Sequence, residues 1–187
     1  MLPIGQPQRK RDLMHLLFNF LFLLAGWKWG DWKNWREYYP TILFFIGGDL
    51  LKNFLFRNYP MWQYKETVFA ENILFGHPVI NLMIMAIVYP ATILIFLGHY
   101  PKGCRQQAIW IALWVFFYSS IEFVNLHYLN LIEHSNGWTM GWSLLFNIFM
   151  FIIFRVHYKR PLVALGIGFL WIFFLWNMLD VPIELLK

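Results

Sequence analysis

Residues 161–181 read PLVALGIGFLWIFFLWNMLDV, an apolar run in which the only charge is Asp180, next to its end. A helix rises about 1.5 Å per residue, so about 20 apolar residues cross a hydrocarbon core about 30 Å thick. This stretch therefore has the length and composition of a membrane-spanning helix. Working back toward the N-terminus, further runs of similar character lie at approximately 13–29, 40–56, 79–98, 107–129 and 138–157. The expected fold is all-α: a single polytopic transmembrane helical domain over residues 1–187 with five to six spans.

Composition independently selects the same class. The chain is 59% hydrophobic, 21% aromatic and only 13% charged, with a mean hydropathy of +0.49. A soluble domain carries about twice that charged fraction, and a small globular core cannot hide so much apolar surface from water. Lipid is the expected solvent for much of the chain. The net charge of +5 does not point to nucleic acid, because the basic residues are dispersed in short segments beside apolar runs. The single cysteine, Cys104, excludes an internal disulfide framework.

The first run follows Arg9, Lys10 and Arg11, as a secretory signal would. No small-x-small cleavage site follows it. Instead comes Trp27-Lys28-Trp29-Gly30-Asp31-Trp32-Lys33-Asn34-Trp35, an aromatic and basic belt that suits headgroups. Lys28, Lys33, Arg36, Lys102, Arg105, Arg155, Lys159 and Arg160 then fall on one side of the bilayer, which the positive-inside rule makes cytoplasmic. Residues 57–78 and 130–137 are expected to face outward. Whether 13–29 spans or lies in the interface with its N-terminus inside is open at this stage. Pro90 should break the third long run by freeing the Ala86 carbonyl. Gly137 with Gly141, and Ala164 with Gly168, are candidate close helix contacts.

Ionisable groups cost several kcal/mol at membrane depth, so each marks a candidate site. Asp49, Lys52 and Asn53 share a helix face at i, i+3 and i+4, and Asp49 can pair with Lys52 locally. Glu122 has no cation on its own helix; it must meet Lys52, bind a cation or be protonated. Asn125 shares its face. Counted along the helices from the proposed sides, Lys52, Asn53, Asn81, Glu122, Asn125 and Asn147 fall between the midplane and the outer surface. They could line an outward-facing polar pocket. His77, Glu133 and His134 in the outer loops are donors suited to a divalent cation, although no HExxH or similar spacing accompanies them.

The residues Gly30-Asp31-Trp32-Lys33-Asn34-Trp35, Tyr38-Tyr39-Pro40-Thr41, Gly48-Asp49-Leu50-Leu51, Tyr89-Pro90-Ala91-Thr92, Asn136-Gly137-Trp138 and Trp142-Ser143-Leu144-Leu145-Phe146-Asn147 form a recognisable set. With His157-Tyr158-Lys159, they resemble an uncharacterised family of small multi-spanning membrane proteins from spore-forming Gram-positive bacteria. The resemblance runs from about residue 30 onward. It implies a bacterial plasma-membrane location and five or six helices, and brings no activity, substrate or catalytic residue.

Three functions compete at this point. The first is a bundle whose pocket binds or passes a cation, proton or small polar solute through Glu122, Asp49, Lys52 and Asn147. The second is a membrane interaction or accessory subunit, homo- or hetero-oligomeric, whose polar residues serve helix packing. The third is a membrane-embedded enzyme on lipid or cell-wall precursors using His77, His134, Glu133 and Glu122; the missing nucleophile or metal motif counts against it. The expected partners are the lipid bilayer and a small cation or polar solute, with no nucleic acid and no cofactor beyond a divalent ion.

Overall fold

A computed structural model describes residues 6–65 and 81–182, with side chains omitted for 6–12 and Tyr64. Among the described residues there are six long helices: α1 (Gln6–Trp29), α2 (Trp35–Leu55), α3 (Asn81–Gly98), α4 (Cys104–His127), α5 (Met140–Lys159) and α6 (Pro161–Met178). Two three-residue strands, β1 (Trp62–Tyr64) and β2 (Ile132–His134), pair antiparallel. The fold is thus an all-α bundle with a small β clasp at one end. Its helices are those of a multi-pass membrane protein: α3, α4, α5 and α6 are each long and apolar enough to cross a bilayer. α1 and α2 qualify only as a pair, bent by 83° at the short turn Trp32–Asn34. α2 is weakened as a span by Arg36, Glu37, Asp49 and Lys52 within its own length.

The helices pack in the order that their connections allow. α4 lies on α5, α5 on α6, and α2 fits between α3 and α5, while α1 covers α3. The core carries large rings and branched chains: Ile93, Leu94 and Phe96 of α3 are buried against Phe151 and Phe154 of α5, with Phe96 and Phe151 centred 5.1 Å apart. A second cluster, Phe56, Met61, Trp138, Leu175, Leu179 and Val181, closes the other end. Outward-facing residues are just as apolar. Leu162 and Phe173 on α6 are 81% and 69% exposed, as lipid rather than water requires.

Pro90 supplies no N–H, and the break it causes is a single π turn over Ile84–Val88, with the Tyr89 N–H reaching back to the Ile84 carbonyl. The helix continues through the proline at the cost of one widened turn. Gly137 and Gly141 do not share a helix face, because Gly137 precedes α5 and sits at φ +80°. Ser135-Asn136-Gly137-Trp138 is instead a turn closed by Trp138 N–H to Ser135 O at 3.0 Å. Asn136 also has positive φ, 52°, the backbone that Asn-Gly adopts most readily.

The closest backbone approaches lie elsewhere, at glycines with no spacing motif. A Cβ on Gly26 would stand 2.7 Å from Cβ of Ala91 on α3, and one on Gly98 would stand 2.6 Å from Cβ of Asp31. These contacts hold α1 and its turn against α3, helped by Asp31 N–H to Leu94 O at 3.3 Å.

The ends of the bundle differ in chemistry. At one, Tyr158 donates to Glu37 at 3.0 Å and the Arg155 guanidinium lies 4.3 Å from the Tyr100 ring centre, so the turns near 30–37, 99–103 and 159–161 come together. At the other, Tyr59 donates to Leu179 O at 3.2 Å, and Asn136 donates to Pro60 O at 2.8 Å beside the clasp.

Gly26→Ala should destabilise the protein by about 1–3 kcal/mol through overpacking. Gly47→Ala, where nothing lies within 4 Å of the added carbon, should be neutral or gain up to about 1 kcal/mol in helix propensity. Thermal unfolding of both variants in the same detergent checks the pair; equal effects would mean that α1 does not pack on α3.

Candidate functional site

The clasp builds the site. β2 comes from the short connection between α4 and α5, and it turns back because Asn130 takes positive φ, 54°, and because Leu131 N–H bonds Asn125 O at 2.9 Å. Its partner β1 follows α2 and sets the register Trp62↔His134, Gln63↔Glu133 and Tyr64↔Ile132. Alternate strand residues face opposite ways. His134 therefore turns in toward the helices and Glu133 turns away, where it accepts from Gln63 Nε2 at 2.7 Å and stands 4.0 Å from Lys65 Nζ.

The inward imidazole reaches α4. His134 Nε2 lies 3.0 Å from Glu122 Oε1, and the two side chains are only 11% and 15% exposed. The same carboxylate oxygen accepts a short hydrogen bond from the Ser143 hydroxyl on α5. The Trp138 indole N–H, which can only donate, bonds Ser143 Oγ at 2.8 Å. That fixes the direction of the chain: Trp138 donates to Ser143, and Ser143 donates to Glu122. Three elements thus converge on one carboxylate, and the Asn136-Gly137 turn is what brings Trp138 into place.

The polar seam continues along the α4–α5 interface. Asn147, buried, donates from Nδ2 to Ser119 Oγ at 3.1 Å. Asn125 lies about one turn beyond Glu122 on α4, and among the described residues its buried Oδ1 has no hydrogen-bond partner. An acceptor left unpaired in the interior costs about 1–3 kcal/mol, so a donor or cation reaching this point would be stabilised.

Asp49, Lys52 and Asn53 form a separate centre on α2. Lys52 Nζ and Asp49 Oδ1 are 2.9 Å apart, and Asn53 Nδ2 is 3.4 Å from Asp49 Oδ2. Lys52 does not ion-pair with Glu122; its ammonium lies 4.9 Å from the ring of Trp62, which is itself the cross-strand partner of His134. Asn81 opens α3, and among the described residues no hydrogen bond joins it to the others. His77 lies outside the described residues, and among those described no three His, Cys, Asp or Glu side chains gather to hold a metal ion.

Several buried polar pairs had no local signal in the sequence. Thr41 Oγ1 and His157 Nδ1 are 3.0 Å apart, with the imidazole stacked on Phe44 at 4.3 Å. His157 is therefore an interior residue rather than a helix-end group facing headgroups. Thr92 and Tyr118 share a hydroxyl–hydroxyl bond of 2.5 Å. Ser143 joins the site although the sequence did not mark it as a site residue; it stands one helical turn from Asn147, as Ser119, on the same face as Glu122, stands one turn before that carboxylate.

As chemistry, the centre has the order serine, carboxylate, imidazole. An activated serine needs the imidazole in the middle, so this order favours holding charge or a proton over nucleophilic attack. Comparison of the chain with protein families, with curated proteins and with solved structures gave no match.

Outside the spans, Asp31 accepts from Asn34 Nδ2 at 3.0 Å and from the Tyr38 hydroxyl at 2.8 Å. The Asn34 bond, the largest effect, and the weaker bond from Tyr38 together hold its carboxyl below the ordinary range against an opposing effect of burial that ranks between them. A depressed carboxyl contributes stability that is present above its unfolded-state value, about 3.9, and is lost as the pH falls through its folded-state value. Acid unfolding should accordingly be less steep below about pH 4 in Asp31→Asn than in the wild type, measured as midpoint temperature against pH; identical curves would remove Asp31 from the acid response.

Proposed function

We propose that this is a multi-pass bacterial plasma-membrane protein, with residues 57–78 and 130–137 on the non-cytoplasmic side, whose working centre at Glu122 binds a proton or a small cation. The observation that carries this reading is the contrast between two carboxylates at membrane depth. Asp49 has a permanent cation, Lys52, on its own helix at 2.9 Å. Among the described residues Glu122 has for its ionisable partner only an imidazole, which carries charge only when protonated. A carboxylate in a low-dielectric interior costs several kcal/mol unless its charge is balanced. Balance at Glu122 comes from an exchangeable proton, on either partner, or from a cation supplied by solution. The orphaned Asn125 oxygen one turn away gives a cation a second oxygen donor type. The concentration of Lys and Arg at the opposite end supports the orientation, and the resemblance to membrane proteins of spore-forming bacteria supports the cell membrane.

The packing reading retains support at Asn147 and Asn53, whose amides are bonded within the bundle. It makes an accessory or interaction subunit the second reading, with Asn147 as interhelical glue and Asn53 bonded to Asp49 within its own helix.

Thermal unfolding of the detergent-purified protein against lithium, sodium, potassium, magnesium, calcium and zinc across pH 5–9 separates the two. A cation present at about 100 times its dissociation constant stabilises the folded state by about 2.7 kcal/mol. The expected result is a cation- or proton-dependent shift in the wild type that is lost in Glu122→Gln and kept in Asp49→Asn. A wild type indifferent to every ion and to pH would sink the proposal and favour the packing reading.

A further inference from the structure

The face of α4 turned away from the core carries an open groove of about 750 Å³ between α4 and α5. Its floor is apolar and narrow-sided: Ala108, Ala112 and Phe116 on α4 face Leu144, Ile148 and Ile152 on α5, with the Ser119 and Ser120 hydroxyls part-way along it. Of the α4 residues only Val115 is buried, so this surface is among the least covered of the bundle. The groove runs on to Val124, about 24 Å from Ala108 along the helix, and its portion from Ala108 to Ser119, about 16 Å, matches one leaflet of a hydrocarbon core about 30 Å thick.

The shallow end of the groove lies at the basic end of the protein. Arg105 stands at i−3 from Ala108 on the same helical face, and Lys159 stands two turns beyond Ile152 on α5. Both are exposed, and among the described residues neither is in an ion pair. The acidic groups at this end are engaged elsewhere, Asp31 with Asn34 and Tyr38 and Glu37 with Tyr158. Two uncompensated cations therefore sit at one end of an apolar groove long enough to take an acyl chain, with the exposed indoles of Trp27, Trp29 and Trp32 at the same end.

We propose that the α4–α5 groove is a binding site for an anionic phospholipid, one acyl chain lying along Ala108, Ala112 and Ile148 and the headgroup phosphate held by Arg105 and Lys159. The two halves of the site answer to two halves of one molecule. Each cation near the surface favours an anionic over a zwitterionic headgroup, and the alanines leave the room that a chain needs. The groove meets the polar seam at Ser119, and the proposal stands whether or not Glu122 binds a cation.

Native mass spectrometry of the purified protein with dioleoylphosphatidylglycerol or dioleoylphosphatidylcholine, each added at the same ratio, tests it. The wild type should retain the glycerol lipid over the choline lipid by about thirtyfold, the scale expected from two surface cations. Arg105→Gln/Lys159→Gln should lose that preference while still carrying both lipids weakly. Ala112→Phe, which fills an exposed groove and leaves every charge in place, should lose retention of both; Ile148→Trp repeats this from the facing helix, and circular dichroism verifies the fold of each. An anionic preference unchanged in Ala112→Phe and Ile148→Trp would overturn the groove as its source. So would a wild-type dimer that these two variants convert to monomer, since a second copy of the chain would then be the occupant.

Discussion

Every backbone N–H and C=O of this chain that lies in hydrocarbon must find its partner within the protein, because lipid offers none. That constraint explains more of the structure than any side-chain contact. It makes each long apolar run a helix, and it decides how the chain deals with its own exceptions. At Pro90 the helix widens by one π turn rather than opening, so Tyr89 N–H still finds Ile84 O. Among the described residues strand structure is confined to one end of the bundle, where β1 and β2 pair with each other and the ladder is extended by Lys65 N–H to Leu131 O at 2.9 Å. The same rule extends to side chains: Thr41 pairs with His157, Thr92 with Tyr118 and Asn147 with Ser119, which makes the Asn125 oxygen, unpartnered among the described residues, an exception.

Helix content and placement were legible in the sequence because lipid imposes them locally, residue by residue, with no need to know the tertiary neighbours. The limits of that legibility are equally physical. Asp49 and Lys52 could be paired in advance since one helix fixes their spacing. Glu122 could be recognised as lacking a helical cation, but its partner is set by a reversal of the chain after α4, which depends on backbone torsions at Asn130 and on pairing with β1. The same torsional detail defeats the Gly137–Gly141 spacing: Asn136-Gly137 is turn chemistry, and it overrides the helical reading of a GxxxG pattern. Gly26 and Gly98 carry close contacts that no spacing rule announces, since the partner backbone in each case belongs to another element.

The clasp links the two charged centres in a way that neither would show alone. The Lys52 ammonium lies 4.9 Å from the ring of Trp62, a favourable contact for a partly desolvated cation. Trp62 is opposite His134 across the ladder, and His134 bonds Glu122. An indole and an imidazole on adjacent strands thus stand between a fixed ion pair on α2 and an exchangeable one at α4. Because cross-strand neighbours occupy the same face of the ladder, displacement of one perturbs the environment of the other. Trp138 adds a second tether, through Ser143, from the loop that follows β2.

The difference between the two centres lies in what carries the compensating group. Lys52 is on the same helix as Asp49 and moves with it, so that pair stays neutral in any arrangement of the bundle. His134 is on the clasp, and Glu122 is on a helix; their contact exists only while β2 is seated. A cation that binds Glu122 must therefore either share the carboxylate with the imidazole or displace it, and displacement weakens the seat of β2. By thermodynamic reciprocity, whatever loosens the clasp must change the affinity of Glu122 by the same factor that occupancy of Glu122 changes the seating of the clasp. If Glu122 binds a cation as proposed, the arrangement of one loop-borne imidazole against one helix-borne carboxylate would make charge at Glu122 and the conformation of the bundle's end a single linked equilibrium, which the Asp49–Lys52 pair, held within one helix, has no means to be.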